Sequence, residues 1–293
     1  MIKELVVISG KGGTGKTSIA ASFAMLASRP VIADCDVDAA DLHLILSPKV
    51  TERHEFRSGH EAVIRQKDCI RCGLCTTHCR FDAVKVEEKV PGDTTFSIDL
   101  TSCEGCGVCV RFCPVQAIDF PERLCGEWMA SETRCGPMVH ARLGVAAENS
   151  GKLVSTVRRE ARRIAEEQHH SLVIIDGPPG IGCPVIASVT GASLVLVVTE
   201  PTVSGEHDLE RVLSLARHFS IPSAVCVNKW DINPAMAERI EYAASRAGAH
   251  VAGRVRYDRA VTSAQLQELA VVETAGPAAS DIRDIWHQLE LQE

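Results

Sequence analysis

No stretch of about 18 consecutive apolar residues occurs anywhere in the chain, so no helical membrane span is expected. No long Lys/Arg run occurs either, and net charge is −7. The densest basic stretch, RREARR at 158–163, reads as a solvated helix face rather than a phosphate-binding surface, so no nucleic-acid partner is expected. No export signal is expected either, because the short apolar run of MIKELVVISG flows straight into a glycine-rich loop. A cytoplasmic location follows as an expectation. In a reducing cytosol, thirteen cysteines with CxxC repeats point to metal ligation rather than to disulfides. At 293 residues and 45% apolar, the chain can bury a sizeable core in one large domain or two smaller ones.

Outside the cysteine-rich region, strand and helix patterns alternate. ELVVISG (4–10) reads as a buried strand and KTSIAASFAMLA as the helix after it. PVIAD (30–34), SLVIIDGP (171–178), SLVLVVTEP (193–201) and SAVCVNK (223–229) are further apolar runs. Helical patterns cover GKLVSTVRREARRIAEEQ and about 205–219 and 235–247. This order predicts an α/β fold: a doubly wound, mostly parallel sheet with ligands at the C-terminal ends of its strands.

GKGGTGKT (10–17) fits G-x-x-x-x-G-K-[ST] between a strand and a helix. Its backbone N–H groups and the helix N-terminus suit phosphate oxygens. Gly12, Gly13, Thr14, Gly15, Lys16, Thr17 and Ser18 would surround the nucleotide, with Lys16 at the β- and γ-phosphates and Thr17 on Mg²⁺. Lys11 is an addition to the basic loop. KGGTGKT resembles the deviant Walker A of the MinD/ParA/nitrogenase-Fe-protein class of ATPases. That resemblance implies an ATP-linked dimer, homomeric or with a paralogue, in which Lys11 reaches the partner's nucleotide. It also implies that Asp36, in VIADCDVDAADLHL, orients the attacking water. Asp34, Asp38 and Asp41 read as caps or structural partners. LVIIDGPPG matches Walker B and switch II, with Asp176 serving Mg²⁺ together with Thr17 and Asp36, and with Gly180 as the mobile point. VNKWD (227–231) contains N-K-x-D, the guanine-reading motif of GTPases, whereas the class resemblance places Asn228 on adenine. ATP is the expected nucleotide, and Asp231 leaves GTP open.

Two runs, Cys69, Cys72, Cys75, Cys79 and Cys103, Cys106, Cys109, Cys113, each read C-x₂-C-x₂-C-x₃-C. This is the spacing of bacterial two-cluster ferredoxins, in which the fourth cysteine of each run serves the other cluster. Two [4Fe–4S] clusters are therefore expected, one on Cys69, Cys72, Cys75 and Cys113, the other on Cys103, Cys106, Cys109 and Cys79. A pair of zinc knuckles would explain the C-x₂-C pairs but not two crossed four-cysteine runs. Arg80 stands where proline usually follows the fourth cysteine. The expected division is an ATPase domain at 1–59 and 121–293, with a ferredoxin domain inserted at 60–120 and PGDTT (91–95) as the turn between its halves.

Together with GRVRYDRAV, TEPTVSGEHDLERV, HARLGVAAENSGKLV and GPPGIGCPVIAS, these motifs resemble MinD-superfamily P-loop ATPases with an inserted ferredoxin domain. That family is often labelled cobyrinic acid a,c-diamide synthase. A glutamine-dependent amidation needs an amidotransferase domain, and no stretch of this sequence supplies one. Cys35 and Cys226 read as small core residues, and Cys125 and Cys135 as loop thiols. Cys183 lies seven residues after Asp176, where the nitrogenase Fe protein has a cluster ligand near its dimer axis. It is a speculative interface thiol, although Glu148 stands where the second such ligand would be.

Three functions fit these readings. The first is a nucleotide-gated electron carrier serving a redox partner. The second is an ATPase that assists iron–sulfur or other metal-cofactor assembly, although no C-x-x-C follows Cys113. The third is a MinD-like positioning ATPase. That role needs a basic amphipathic C-terminal helix, whereas SDIRDIWHQLELQE is mainly acidic on its polar face, so no membrane partner is expected.

Overall fold

The apolar runs of the outer chain become the interior of a nine-stranded sheet. The structure, a computed structural model, describes residues 2–88, 94–144 and 150–289. Most of the turn expected at 91–95, and Glu148, lie outside the described residues. Along the chain run β1 (Lys3–Ser9), α1 (Lys16–Leu26), β2 (Val31–Asp34), α2 (Leu42–Leu46), β3 (Lys49–His60), β4 (Val63–Ile64), α3 (Leu74–His78), β5 (Val84–Glu88), β6 (Thr94–Ile98), α4 (Val108–Phe112) and β7 (Ile118–Asp119). They are followed by β8 (Glu122–Thr133), β9 (Gly136–Leu143), α5 (Ser150–Glu167), β10 (Leu172–Pro179), α6 (Cys183–Val189), β11 (Leu194–Thr199), α7 (Val203–His218), β12 (Ser223–Asn228), α8 (Pro234–Arg246), β13 (His250–Val255), α9 (Arg259–Leu266) and α10 (Pro277–Gln288).

The chain divides into two compact units. One comprises Met1–His54, Glu127–Leu143 and Asn149–Glu293, the other Glu55–Gly126 and Gly144–Glu148. The strand order of the large sheet is β13-β12-β11-β1-β10-β2-β9-β8-β3. From β13 to β9 every neighbouring pair is parallel. The central strands are buried on both faces, as continuous Val/Ile/Leu runs covered by helices require. The doubly wound α/β class expected from the alternating pattern is what forms.

The far edge was not legible as strands. The stretch after residue 121 read as a connection, yet β8 and β9 fold back on one another through Arg134 and Cys135 and extend the sheet. β3, at the edge, carries Lys49, Glu52, Arg53, His54, Glu55 and Arg57, all exposed. Charge along an edge strand blocks pairing with other chains, and it also hides the strand from a hydrophobicity pattern.

Two other readings have clear outcomes. The apolar side chains of the C-terminal segment, Ile282, Ile285, Trp286 and Leu289, are all buried. Trp286 lies 5.1 Å from the Phe23 ring of α1. At about 2 kcal/mol for each buried side chain, this face belongs to the core. The arginines of RREARR are paired with carboxylates: Arg158 and Arg162 with Glu4, Arg159 and Arg163 with Glu160, and Arg163 also with Glu167.

The second unit has little core of its own. Ala62, Ile64, Val84, Phe96 and Ile118 are its buried apolar cluster, and cysteines of both runs pack against them. Its sheets are the two short pairs β4–β7 and β5–β6. A unit of this size with so few buried side chains needs a cross-link or a metal to hold it. Limited proteolysis of iron-free, reduced protein is therefore expected to cut within 55–126 and leave the larger unit intact. Iron-free protein as resistant there as iron-loaded protein would contradict this.

Candidate functional site

The strand order brings three side chains to one place. β1, β10 and β2 are adjacent: Lys16 opens α1 after the loop that follows β1, Asp176 lies in β10 and Asp36 stands just past the end of β2. Lys16 Nζ lies 2.7 Å from Asp36 Oδ2, 3.2 Å from Asp176 Oδ1 and 3.3 Å from Thr17 Oγ1. All three charged groups are buried. Burial alone would lower the Lys16 pKa, but Asp176 and Asp36 outweigh it and push it up to about 12. Asp34 is fully buried, with Oδ1 accepting from the Asp36 N–H. Burial, reinforced by Asp176, raises its carboxyl well above the usual range.

The loop itself is set by Gly15, which caps α1 in the left-handed region with φ 91°. A Cβ there would sit 2.4 Å from Asn228 Nδ2. Asn228 is so close because it clamps the loop: Nδ2 donates to Thr14 O at 2.7 Å, and Oδ1 accepts from the Lys229 N–H at 3.0 Å. Around Gly12 and Gly13 a Cβ would meet nothing within 4 Å, leaving the backbone open to a ligand. Gly180 donates its N–H to Ser9 O at 2.8 Å, which ties the end of β10 to the start of the loop. A cavity of about 220 Å³ adjoins the loop, bordered by Gly13, Gly15, Asn228, Tyr257 and Gln265.

Several buried polar atoms here have no partner among the described residues: Thr14 Oγ1, Asp34 Oδ2 and Asp176 Oδ2. Lys16 is paired with two carboxyl groups, Asp36 and Asp176, and the unpartnered oxygens leave free donors beside it. That donor set fits a hard cation such as Mg²⁺, and the open glycine backbone beside it fits phosphate.

Lys11 is half-buried, with Nζ 3.2 Å from Glu200 Oε2 and 3.5 Å from Ser204 Oγ. Lys229 Nζ meets Glu200 Oε1 at 2.6 Å. Glu200 therefore joins two lysines at opposite sides of the loop, a role the sequence reading missed. The only sequence signal was a carboxylate closing an apolar strand. Asp231 Oδ1 accepts the Tyr257 N–H at 2.7 Å and does not border the cavity. Cys183 is exposed at the start of α6, packed against Gly151. Cys35 and Cys226 are fully buried core residues. Cys125 is not a loop thiol: it lies buried in β8, its Sγ donating to Ser58 O. Cys135 is in the β8–β9 turn, beside Thr133 Oγ1.

In the second unit the eight cysteines sort into two cavities. One is bordered by Cys69, Cys72, Cys75 and Cys113. The other is bordered by Cys79, Cys103, Cys106 and Cys109. The crossing follows from the repeat. α3 and α4 are each entered through a left-handed glycine, Gly73 or Gly107, and each ends in the fourth cysteine of its run. Cys113 Sγ accepts the Ala117 N–H at 3.2 Å, as a thiolate ligand would. Four converging thiols in an apolar wall are the donor chemistry of an iron–sulfur cluster.

Comparison with known proteins agrees with both parts. The model of the 4Fe-4S dicluster domain matches residues 62–120. Uncharacterized protein MJ0578 of Methanocaldococcus jannaschii is 39% identical over 239 residues, covering 80% of each chain. The chain belongs to the family of MJ0578. Among solved structures, MinD of Pyrococcus horikoshii complexed with Mg-ADP is similar with TM-score 0.59 at 13% identity, over 99% of this chain and 96% of that one. The Cyanothece McdA(D38A)–ATP complex is similar with TM-score 0.59 at 15% identity, over 100% and 98%. The fold is that of MinD/ParA P-loop ATPases, combined with a ferredoxin-type dicluster domain.

Replacing Lys16 with Met removes the cation of the cage, which would be a donor to a bound phosphate. Hydrogen bonds to charged groups contribute about 1.5–3 kcal/mol, so nucleotide affinity should fall about 10- to 100-fold. Titration with a fluorescent ATP analogue measures this, and unchanged affinity would contradict the assignment.

Proposed function

We propose that this chain is an ATP-hydrolysing iron–sulfur protein, working in the cytoplasm as an ATP-linked dimer. Its nucleotide state would govern electron transfer through two [4Fe–4S] clusters to a partner protein. One observation carries the reading: a single chain joins a buried Lys–Asp–Asp cage on a phosphate loop to two separate four-thiol cavities.

Cys69, Cys72, Cys75 and Cys113 would hold one cluster, and Cys103, Cys106, Cys109 and Cys79 the other. Bound there, the clusters supply one-electron storage. Thr17, Asp36 and Asp176 would hold Mg²⁺, which supplies positive charge at the phosphates. Lys16 would bind the β- and γ-phosphates, and Asp36 would orient water. Lys11 would leave Glu200 and reach the partner's nucleotide. Adenine is favoured because Asp231, the carboxylate that would read guanine, already accepts a backbone N–H. Asn228 borders the cavity open to the base.

A route for coupling lies in the strands. Asp36 follows β2, β2 pairs with β9, and β9 turns back into β8. β8 and β3 each continue past the unit boundary into the cysteine-bearing stretch. A shift of Asp36 on nucleotide binding or hydrolysis thus meets continuous backbone leading to the clusters.

Anaerobically reduced protein, mixed with excess oxidised cytochrome c, tests this. The rate of electron loss should change at least about tenfold, about 1.4 kcal/mol of barrier, when MgATP replaces MgADP. Lys16→Ala should remove the nucleotide effect. Equal rates with both nucleotides would contradict the coupling.

A further inference from the structure

The two cysteine cavities are repeats, so they can be compared residue by residue. An offset of 34 sets Cys69 against Cys103, Cys72 against Cys106 and Cys75 against Cys109. The backbone keeps the repeat: φ is 61° at Arg71 and 59° at Gly105, 75° at Gly73 and 70° at Gly107, and 50° at both Asp82 and Gln116. Gly105 has to be glycine, because a Cβ would sit 2.2 Å from His60 O.

Within this near-symmetry one lining position changes its chemistry. Ile70 borders the first cavity, and its counterpart Glu104 borders the second. Apart from cysteines, every described residue around the first cavity is apolar. Around the second, Glu104 is the one charged residue among those described. Arg80, beside Cys79, opposes it, but Arg80 is exposed and does not border the cavity.

A negative charge against an iron–sulfur centre stabilises its oxidised state, because reduction adds a further electron to the same region. Local charge is one of the controls on cluster potential. We infer that Glu104 and Ile70 make the two centres unequal. The Cys79/Cys103/Cys106/Cys109 site has the lower reduction potential, and an electron entering the chain comes to rest at the Cys69/Cys72/Cys75/Cys113 site. In that internal step one centre loses one electron and the other gains it, with no bond made or broken and no proton moved. The electron itself comes from an external one-electron reductant. The end where it rests is apolar at its rim, with Ile70 60% exposed and Leu74 and Val115 also exposed. This inference rests on the two-cluster reading and adds to it a direction of electron flow.

The test is an anaerobic redox titration followed by EPR, with Ti(III) citrate as reductant and no nucleotide. It is run on the native chain, on Glu104→Gln and on Ile70→Glu. Both positions are exposed, so neither substitution disturbs the core. Two midpoints are expected, with at least about a tenfold preference for one centre, equivalent to about 59 mV. Glu104→Gln should raise the lower midpoint and leave the upper one in place. Ile70→Glu should lower the upper one. Coincident midpoints in the native chain, or a Glu104→Gln variant that shifts the upper midpoint or neither, would overturn the inference. Iron analysis separates the two levels: about eight irons per chain with coincident midpoints defeats only the inequality. About four or fewer defeats the two-cluster reading and the inequality with it.

Discussion

One buried ammonium holds the nucleotide end of the molecule together. Lys16 is enclosed by Asp36 and Asp176, and the three come from different places in the chain: the start of α1, the segment after β2 and β10. Burying any one of these charges alone would cost several kcal/mol. They are tolerated only as a set, and the set exists only if β1, β10 and β2 are neighbours in the sheet. The parallel order of the strands and the charge cage therefore require each other. The cage is also incomplete: Asp34 Oδ2 and Asp176 Oδ2 lack partners among the described residues. Such a site would suit a second cation brought by a phosphate ligand. A polar core satisfied internally would have no reason to bind one.

The cysteine unit depends on a different constraint. Its apolar core is too small to hold eight thiols in place, yet the thiols converge in fours. Left-handed glycines and the ends of two one-turn helices place them, and metal–sulfur bonds would supply the stability that hydrophobic burial does not. The same economy explains how one side chain can separate two otherwise equivalent sites. Where nearly every lining group is apolar or a ligand, a single carboxylate is a large electrostatic difference.

Much of this could be read from residues alone, because its determinants are local. The phosphate loop needs its glycines and lysine at fixed offsets, and a crossed cluster pair needs its cysteines at fixed spacing. The central strands are continuous apolar runs because both faces are covered. What escaped depends on long-range pairing. β3, β8 and β9 join the sheet with polar or mixed sequences, because an edge is satisfied by backbone pairing more than by side-chain burial. Cys125 looked like a loop thiol for the same reason. Glu200 was missed because its importance lies in two lysines far apart in sequence, Lys11 and Lys229. Asn228 is expected at the base, and the structure shows its amide fastening the phosphate loop.

The central claim is that nucleotide state acts on the clusters, and their midpoint potentials measure that directly. Both would be titrated anaerobically without nucleotide, with MgADP and with MgATP. The account predicts that MgATP moves at least one midpoint by about 59 mV or more, about 1.4 kcal/mol for a one-electron couple. MgADP should not do so, and Lys16→Ala should abolish the shift. Midpoints that coincide under all three conditions would contradict it.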